Sequence, residues 1–243
     1  MKLTTHKTAL ITGASRGIGR AAAEVFASAG YELILTCLNS ADALRDLSEQ
    51  LQTQYHIPCR AVQADMGCQQ DVERLFGSIS RLDVLINNAG IAYIGLLTDM
   101  TPDEWHRIIA VNLDACFYTC RLAVPIMLRE HSGKIINVSS VWGTQGASME
   151  VAYSASKGGV NAFTKALAKE LAPSGIQVNA IACGAIDTAM NNGLSKEDLD
   201  NLRSEIPADR LGTPIEAAQL ILQIAQAPEY MTGQIITMDG GWS

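Results

Sequence analysis

Thr8-Ala-Leu-Ile-Thr12-Gly-Ala-Ser-Arg-Gly-Ile-Gly19 decides the fold. A short apolar run reads as a strand and ends on glycines spaced Gly-xxx-Gly-x-Gly; the stretch after them has helical character. A strand that opens through a glycine turn into a helix is the context in which a dinucleotide pyrophosphate is held. The glycines admit backbone angles and close approaches that a Cβ would block, and the helix N-terminus offers unpaired N–H groups. Gly13, Ser15, Arg16, Gly17, Ile18 and Gly19 are therefore candidate cofactor contacts. A glycine-rich turn by itself also serves as an ordinary bend, and the rest of the chain decides between the two.

Outward from this turn, short apolar runs alternate with longer amphipathic stretches, the pattern of a parallel sheet with helices on both faces. Further strands are expected at Glu32–Cys37, Cys59–Gln63, Val84–Asn87, Lys134–Val138, Gln177–Ile181 and Gln234–Met238, about seven in all. Ser40–Tyr55 and Cys68–Ser80 have helical length. Thr101-Pro-Asp-Glu104 combines a capping box with proline at the first helical position, and should start a long helix carrying Asn112. Pro173 should end the helix that begins near Tyr153. The stretch 184–211, with Met190-Asn-Asn-Gly193, lacks strand character and reads as a short helical lid. The fold expected is a single doubly wound α/β domain over 1–243, with a cofactor half over about 7–115 and a catalytic and substrate half over 116–243.

Composition narrows the function. A chain of 243 residues, 48% hydrophobic and 18% charged, is long enough to bury one sizeable core. A net charge of −7 argues against a nucleic-acid surface, and no run is expected to reach the length of a membrane span. Cys37, Cys59, Cys68, Cys116, Cys120 and Cys183 form no CxxC pair and read as small core residues in a reducing compartment. His6, His56, His106 and His131 have no ligand spacing, so no metal is expected. Met1 to Lys7 lacks the apolar stretch of a signal peptide. A cytoplasmic protein is expected.

The chemistry points to Tyr153-Ser-Ala-Ser-Lys157. Tyrosine and lysine four positions apart share one helix face. An ammonium beside a phenol favours the phenolate and should draw the tyrosine pKa from about 10 toward neutrality. A fall of about three units corresponds to roughly 4 kcal/mol of differential stabilisation. Such a tyrosine can hand a proton to a developing alkoxide. Ser140 can bind the same oxygen; strand alternation points its neighbour Ser139 elsewhere.

Thr12–Gly19, Asn87-Asn-Ala-Gly90, Asn112, Ser140, Tyr153, Lys157 and Asp239-Gly-Gly241 together resemble the short-chain dehydrogenase/reductase family, from about residue 7 to the C-terminus. The resemblance implies a Rossmann-type fold and hydride transfer between a nicotinamide and a carbonyl carbon, with Tyr153 as acid, Ser140 as oxygen clamp and Lys157 also on the nicotinamide ribose. It implies that Asn112 sits at a helix distortion and holds a water of a proton relay. It places Asp65 against the adenine amino group, although an aspartate there would equally cap a helix. Met66 neighbours it, Asn88, Ala89 and Gly90 lie along the adenine ribose, and Gly184, Ile186 and Thr188 line the nicotinamide end. Cys183 stands where the family usually has proline and should leave that loop freer. At the end of the second strand, Cys37 and Asn39 supply no carboxylate to repel a 2′-phosphate, and Arg16 can pair with one. NADPH/NADP+ is thus expected over NADH.

Within the family the chain resembles bacterial 3-oxoacyl-acyl-carrier-protein reductases. Ser140-Val-Trp-Gly-Thr-Gln-Gly-Ala147 and Glu205-Ile-Pro-Ala-Asp-Arg-Leu-Gly212 also resemble the elongation factor P 5-aminopentanone reductases. The substrate would be a ketone, small or carrier-bound, with acyl carrier protein or elongation factor P as the protein partner and a homotetramer as the assembly. Trp142, Met149 and Val151 should wall the substrate site, with Gln145 and Glu150 as its polar candidates. Where fatty-acid reductases can carry arginine, this chain has His131 and Ser174, with Arg129 and Lys134 nearby as substitutes. A non-catalytic NADP-sensing protein would share the fold, but it would be expected to lose the tyrosine or lysine.

Overall fold

A computed structural model describes residues 6–191 and 195–243. Its order is β1 (Thr8–Ile11), α1 (Gly17–Ser28), β2 (Glu32–Cys37), α2 (Ala41–Tyr55), β3 (Cys59–Gln63), α3 (Gln69–Phe76), β4 (Val84–Asn87), α4 (Pro102–Ile109), α5 (Ala115–Arg129), β5 (Gly133–Ser140), α6 (Trp142–Gln145), α7 (Val151–Leu171), β6 (Ile176–Cys183), α8 (Lys196–Glu205), α9 (Pro214–Gln226) and β7 (Ile235–Met238). The strands form one parallel sheet in the order β3-β2-β1-β4-β5-β6-β7. The order reverses between β1 and β4, the crevice where ligands bind in open α/β sheets.

Side-chain alternation sorts the core into two layers. Phe26, Leu33, Leu35, Leu44, Leu51, Ile86 and Ile221 pack on the face covered by α1, α2 and α9. Leu10, Ile34, Val72, Leu85, Ile126, Met127 and Val178 pack on the face covered by α3, α5 and α7. Strands covered on both sides read as unbroken apolar runs, which is why most of them are visible in the sequence.

The Thr101 capping box forms, with Glu104 returning to the Thr101 N–H at 2.8 Å. Between α4 and α5 the helix widens into a π turn, Ala110–Asp114, which holds Asn112. The helix then passes through Pro125 without stopping. From Pro102 to Arg129 it is long and apolar enough to cross a membrane, contrary to the expectation that no run would be. In this fold its inner face, with Ala115, Cys120, Ala123, Ile126 and Met127, packs into the second core layer. The expected lid region carries a 3-10 turn at Ala189–Asn191 and then α8; its Gly184 N–H donates to the Met238 carbonyl of β7 at 2.9 Å, and an isolated bridge joins Ile186 to Gly212. Asn192, Gly193 and Leu194 of the expected lid, and Met1 to Thr5 of the N-terminal reading, lie outside the described residues.

Candidate active site

The glycine turn is locked from beneath. Asn88 donates through Nδ2 to the carbonyls of Thr12 (2.8 Å) and Gly13 (3.0 Å), while the N–H groups of Asn88 and Ala89 donate to Thr12 Oγ1 (2.9 and 3.0 Å). A Cβ on Gly19 would lie 2.2 Å from the Gly13 oxygen, so the helix meets the turn only because residue 19 has no side chain. Gly13 and Gly17 have φ of 66° and 55°, which glycine adopts without strain. Arg16, the N-cap of α1, makes no capping bond and is exposed, and no acid lies in the first turn. The N–H groups of α1 are thus open to an anion, with a guanidinium beside them. Thr188 comes to within 3.4 Å of a Cβ built on Gly17, which brings the lid segment against the turn. A phosphate-bearing dinucleotide fits this cradle.

Of the remaining cofactor candidates, Ser15 lies part-exposed in the turn, Asn39 is exposed beyond β2, and Ile18 packs on the first core layer. Ile186 is buried there too. Gly184 lies against Asp239, where a Cβ would come within 2.7 Å of the Asp239 side chain. Met66 points into the second core layer, so only its backbone faces the crevice. Asp65 also has protein partners: its carboxylate takes a bidentate pair from Arg107 (2.8 and 3.2 Å) and accepts the Gly67 N–H (2.9 Å). It does not cap α3, whose N-cap is Cys68. Arg107 on α4 carried no signal in the sequence that marked it as Asp65's partner.

The catalytic candidates converge at the C-terminal ends of β4, β5 and β6. Ser140 closes β5, hydrogen-bonds the Tyr153 phenol and accepts from the Trp142 N–H at 3.2 Å. Ser139 turns away, as alternation predicts, and donates to Asn161 Oδ1 at 2.7 Å. Lys157 is buried; its Nζ donates to the Val138 carbonyl at 2.8 Å and stands 5.6 Å from the Tyr153 ring centroid. A Cβ on Gly90 would touch Asn112 Oδ1 at 3.4 Å and Lys157 Nζ at 3.6 Å, so the Asn-Asn-Ala-Gly loop joins the two halves of the site. Asn112 grips the Ile91 N–H and carbonyl (both 2.9 Å) and Ser156 Oγ (3.0 Å). Both of its Nδ2 hydrogens are committed to protein groups, which leaves a lone pair on Oδ1 and its main-chain carbonyl as the acceptors open to the water of the expected relay.

The electrostatics correct one expectation. The Tyr153 phenol is held above its ordinary pKa, chiefly by burial, against the favourable bond from Ser140 and together with the negative fields of Glu150 and Cys183. Burial pushes Lys157 down, opposed by Cys116 and Cys183. The lysine charge is turned toward the Val138 carbonyl, and desolvation outweighs its pull on the phenol. Cys183 brings a second correction. It is the last residue of β6, in register with Ser140 on one side and Met238 on the other, and its carbonyl accepts the Val141 N–H at 3.0 Å. The position is tied down, not freed.

Around the mouth, Trp142 stacks edge-on against Trp242 at 4.8 Å between ring centroids. Nothing in the sequence signals this pairing across a hundred residues. Gln145 is exposed and Glu150 half-buried. The Gly95 N–H donates to the Met149 carbonyl at 2.9 Å and binds the loop after β4 to the loop before α7. Arg129 and Lys134 lie elsewhere: they donate to the Ser80 and Ala227 carbonyls at the start of β5, about 20 Å of strand from Ser140. His131 and Ser174 precede β5 and β6 at that same far edge.

A family model described as short chain dehydrogenase matches residues 7–199. The chain belongs to the short-chain dehydrogenase family. It is an oxidoreductase by that membership, with the Rossmann-type sheet expected. The chain is 40% identical over 239 residues to an uncharacterized oxidoreductase of Bacillus subtilis (strain 168), YmfI, covering 98% of this chain and 99% of that one. It is 37% identical over 240 residues to the 3-oxoacyl-[acyl-carrier-protein] reductase FabG of Aquifex aeolicus, covering 97% and 96%. A provisionally named NAD(P)-dependent gluconate 5-dehydrogenase from Beutenbergia cavernae, solved with bound NADP at low occupancy, superposes with a TM-score of 0.92 at 33% identity, covering 98% and 97%.

Proposed function

We propose that this protein reduces a ketone to a secondary alcohol with NADPH. The observation that carries the reading is the single cluster of Ser140, Tyr153, Lys157 and Asn112 reached by the Gly90 loop from the glycine cradle. The cradle from Gly13 to Gly19, with Arg16 beside it for a 2′-phosphate, would hold NADPH, which when bound would supply the hydride. Tyr153 gives its Oη proton to the carbonyl oxygen. An alkoxide is far more basic than even a raised phenol, so the transfer is downhill. Ser140 Oγ donates a hydrogen bond to the same oxygen. Lys157 places a cation behind the phenol, and Asn112 fixes the Ile91 loop over it. All four positions are filled, which disfavours a non-catalytic sensor. The test is turnover with a generic ketone: NADPH should exceed NADH in kcat/KM by at least about tenfold, roughly 1.4 kcal/mol. Equal values refute the cofactor reading.

For the substrate, a 3-oxoacyl group on acyl carrier protein comes first, because similar proteins of comparable length carry that name. A second reading is a ketone on a modified lysine of elongation factor P. Acyl carrier protein is acidic, and the basic candidates Arg129 and Lys134 lie at the wrong edge of the chain to receive it at this mouth. Mass spectrometry of elongation factor P from a deletion strain separates the two. A modified lysine lighter by two hydrogens supports the second; an unchanged mass with lost acetoacetyl-carrier reduction supports the first. Six free cysteines fit a reducing cytoplasm, and we place the protein there as a homotetramer.

A further inference from the structure

Residues 239–243, which follow β7, form a closed hook. The Asp239 carboxylate accepts the N–H groups of Gly241 (2.9 Å) and Ser243 (2.8 Å) and the Ser243 hydroxyl (2.5 Å), and the Asp239 carbonyl accepts the Trp242 N–H (3.3 Å). Gly240 and Gly241 make the bend with φ of 68° and 86°, which glycine adopts without strain. The hook starts level with the site: Met238 is in register with Cys183 of β6, and Cys183 with Ser140 of β5. Two strand spacings, about 10 Å, separate them. Its other side is seated on the segment after α8. The Ala208 N–H donates to the Gly240 carbonyl at 3.1 Å, and a Cβ on Gly240 would lie 2.8 Å from Ile206 Cγ2 and 3.0 Å from Ala208 Cβ.

What this hook delivers is an indole. Trp242 meets Trp142 with 4.8 Å between ring centroids and 62° between ring planes, the T-shaped arrangement that aromatic quadrupoles favour. Trp142 reaches the chemistry through its backbone, since its N–H donates to Ser140 Oγ at 3.2 Å. That bond occupies one Oγ lone pair and leaves the hydroxyl proton to be given to another group. We propose that Trp242 is a positioning residue for the reduction: the hook holds its indole against Trp142, and Trp142 through its N–H sets the direction in which Ser140 presents its hydroxyl to the ketone oxygen. This rests on the ketone-reductase reading and adds to it a residue outside the motifs that support it.

The test uses the whole protein. Two indoles this close couple their transitions, so wild-type protein should show a paired positive and negative band in far-ultraviolet circular dichroism. Trp105 stacks on no other ring among the described residues and contributes none. In Trp242→Ala the band pair should vanish and kcat for a generic ketone should fall about tenfold, while the NADPH dissociation constant, by fluorescence titration, stays within about twofold. Trp242→Phe keeps an aromatic edge against Trp142 and should recover most of the rate without the band pair. A wild type that lacks the band pair overturns the proposal, as does Trp242→Ala with kcat unchanged, or a loss that Trp242→Phe does not recover; each leaves the reductase reading intact. Should Trp242→Ala fail to bind NADPH, Trp242→Leu, which fills more of the volume without an aromatic edge, decides: a lowered kcat with normal NADPH binding supports the proposal, and any other result overturns it. Failure of wild-type protein to reduce any ketone overturns the reductase reading and this one with it.

Discussion

Gly19→Ala sets two effects of opposite sign against each other. Alanine inside a helix is favoured over glycine by about 1 kcal/mol. Here, however, the added methyl would sit 2.2 Å from the Gly13 oxygen and 2.5 Å from Asn88 Nδ2. Relieving that contact takes a movement of about 1 Å. Neither atom is free to make it, since Asn88 Nδ2 bonds both the Thr12 and Gly13 carbonyls. Two hydrogen bonds of about 1 kcal/mol each are weakened, and overpacking adds about 1–3 kcal/mol. The clash therefore wins, with a net loss of about 2–4 kcal/mol after the helix preference is subtracted. Urea unfolding followed by circular dichroism measures it, and NADPH fluorescence titration on the folded fraction should show binding weakened in parallel. Unchanged stability and unchanged NADPH affinity would refute the reasoning, because the turn would then tolerate a side chain where the two backbones touch.

Three further outcomes are expected. Ketone reduction should stay flat from about pH 7 to 9, because Tyr153 is held above its ordinary value and the proton-bearing form persists below its pKa; a fall in kcat centred near neutrality would contradict it. Glu216, capped by Thr213 and paired with Arg210 at 2.6 Å, is drawn down to about 2. A depressed carboxylate stabilises the fold above its ordinary pKa and loses that contribution as pH falls toward about 2. Glu216→Gln should thus remove part of the acid sensitivity of unfolding between those limits, and an identical acid profile would refute it. Sedimentation should return a tetramer, and monomeric protein with full activity would contradict the assembly.

Most of the scaffold was legible because parallel strands buried on both faces read as apolar runs; β4 was bounded correctly at Val84–Asn87. β5 and β6 both run on to the site through Ser139, Ser140, Ala182 and Cys183, where polar and small residues end the apolar signal before the ladder ends. α9 went unread although Thr213-Pro-Ile-Glu216 repeats the capping pattern of Thr101. The site residues were legible by motif, and Ser140, Tyr153, Lys157 and Asn112 do come together. What no motif carries is the tertiary field. The Asp65–Arg107 pair, the Trp142–Trp242 contact and the upward shift of Tyr153 depend on residues far apart in the chain, and on how much water the fold removes.

Tyr153→Phe tests the central claim most directly. The substitution removes one oxygen, the group proposed to protonate the substrate, and leaves the glycine cradle untouched. Steady-state reduction of a ketone should fall by a factor of about 10² or more, the usual size of a general-acid effect, while NADPH titration gives a dissociation constant within about twofold of wild type, under 0.5 kcal/mol. Retention of more than about a hundredth of the wild-type rate, with NADPH bound normally, would contradict the account.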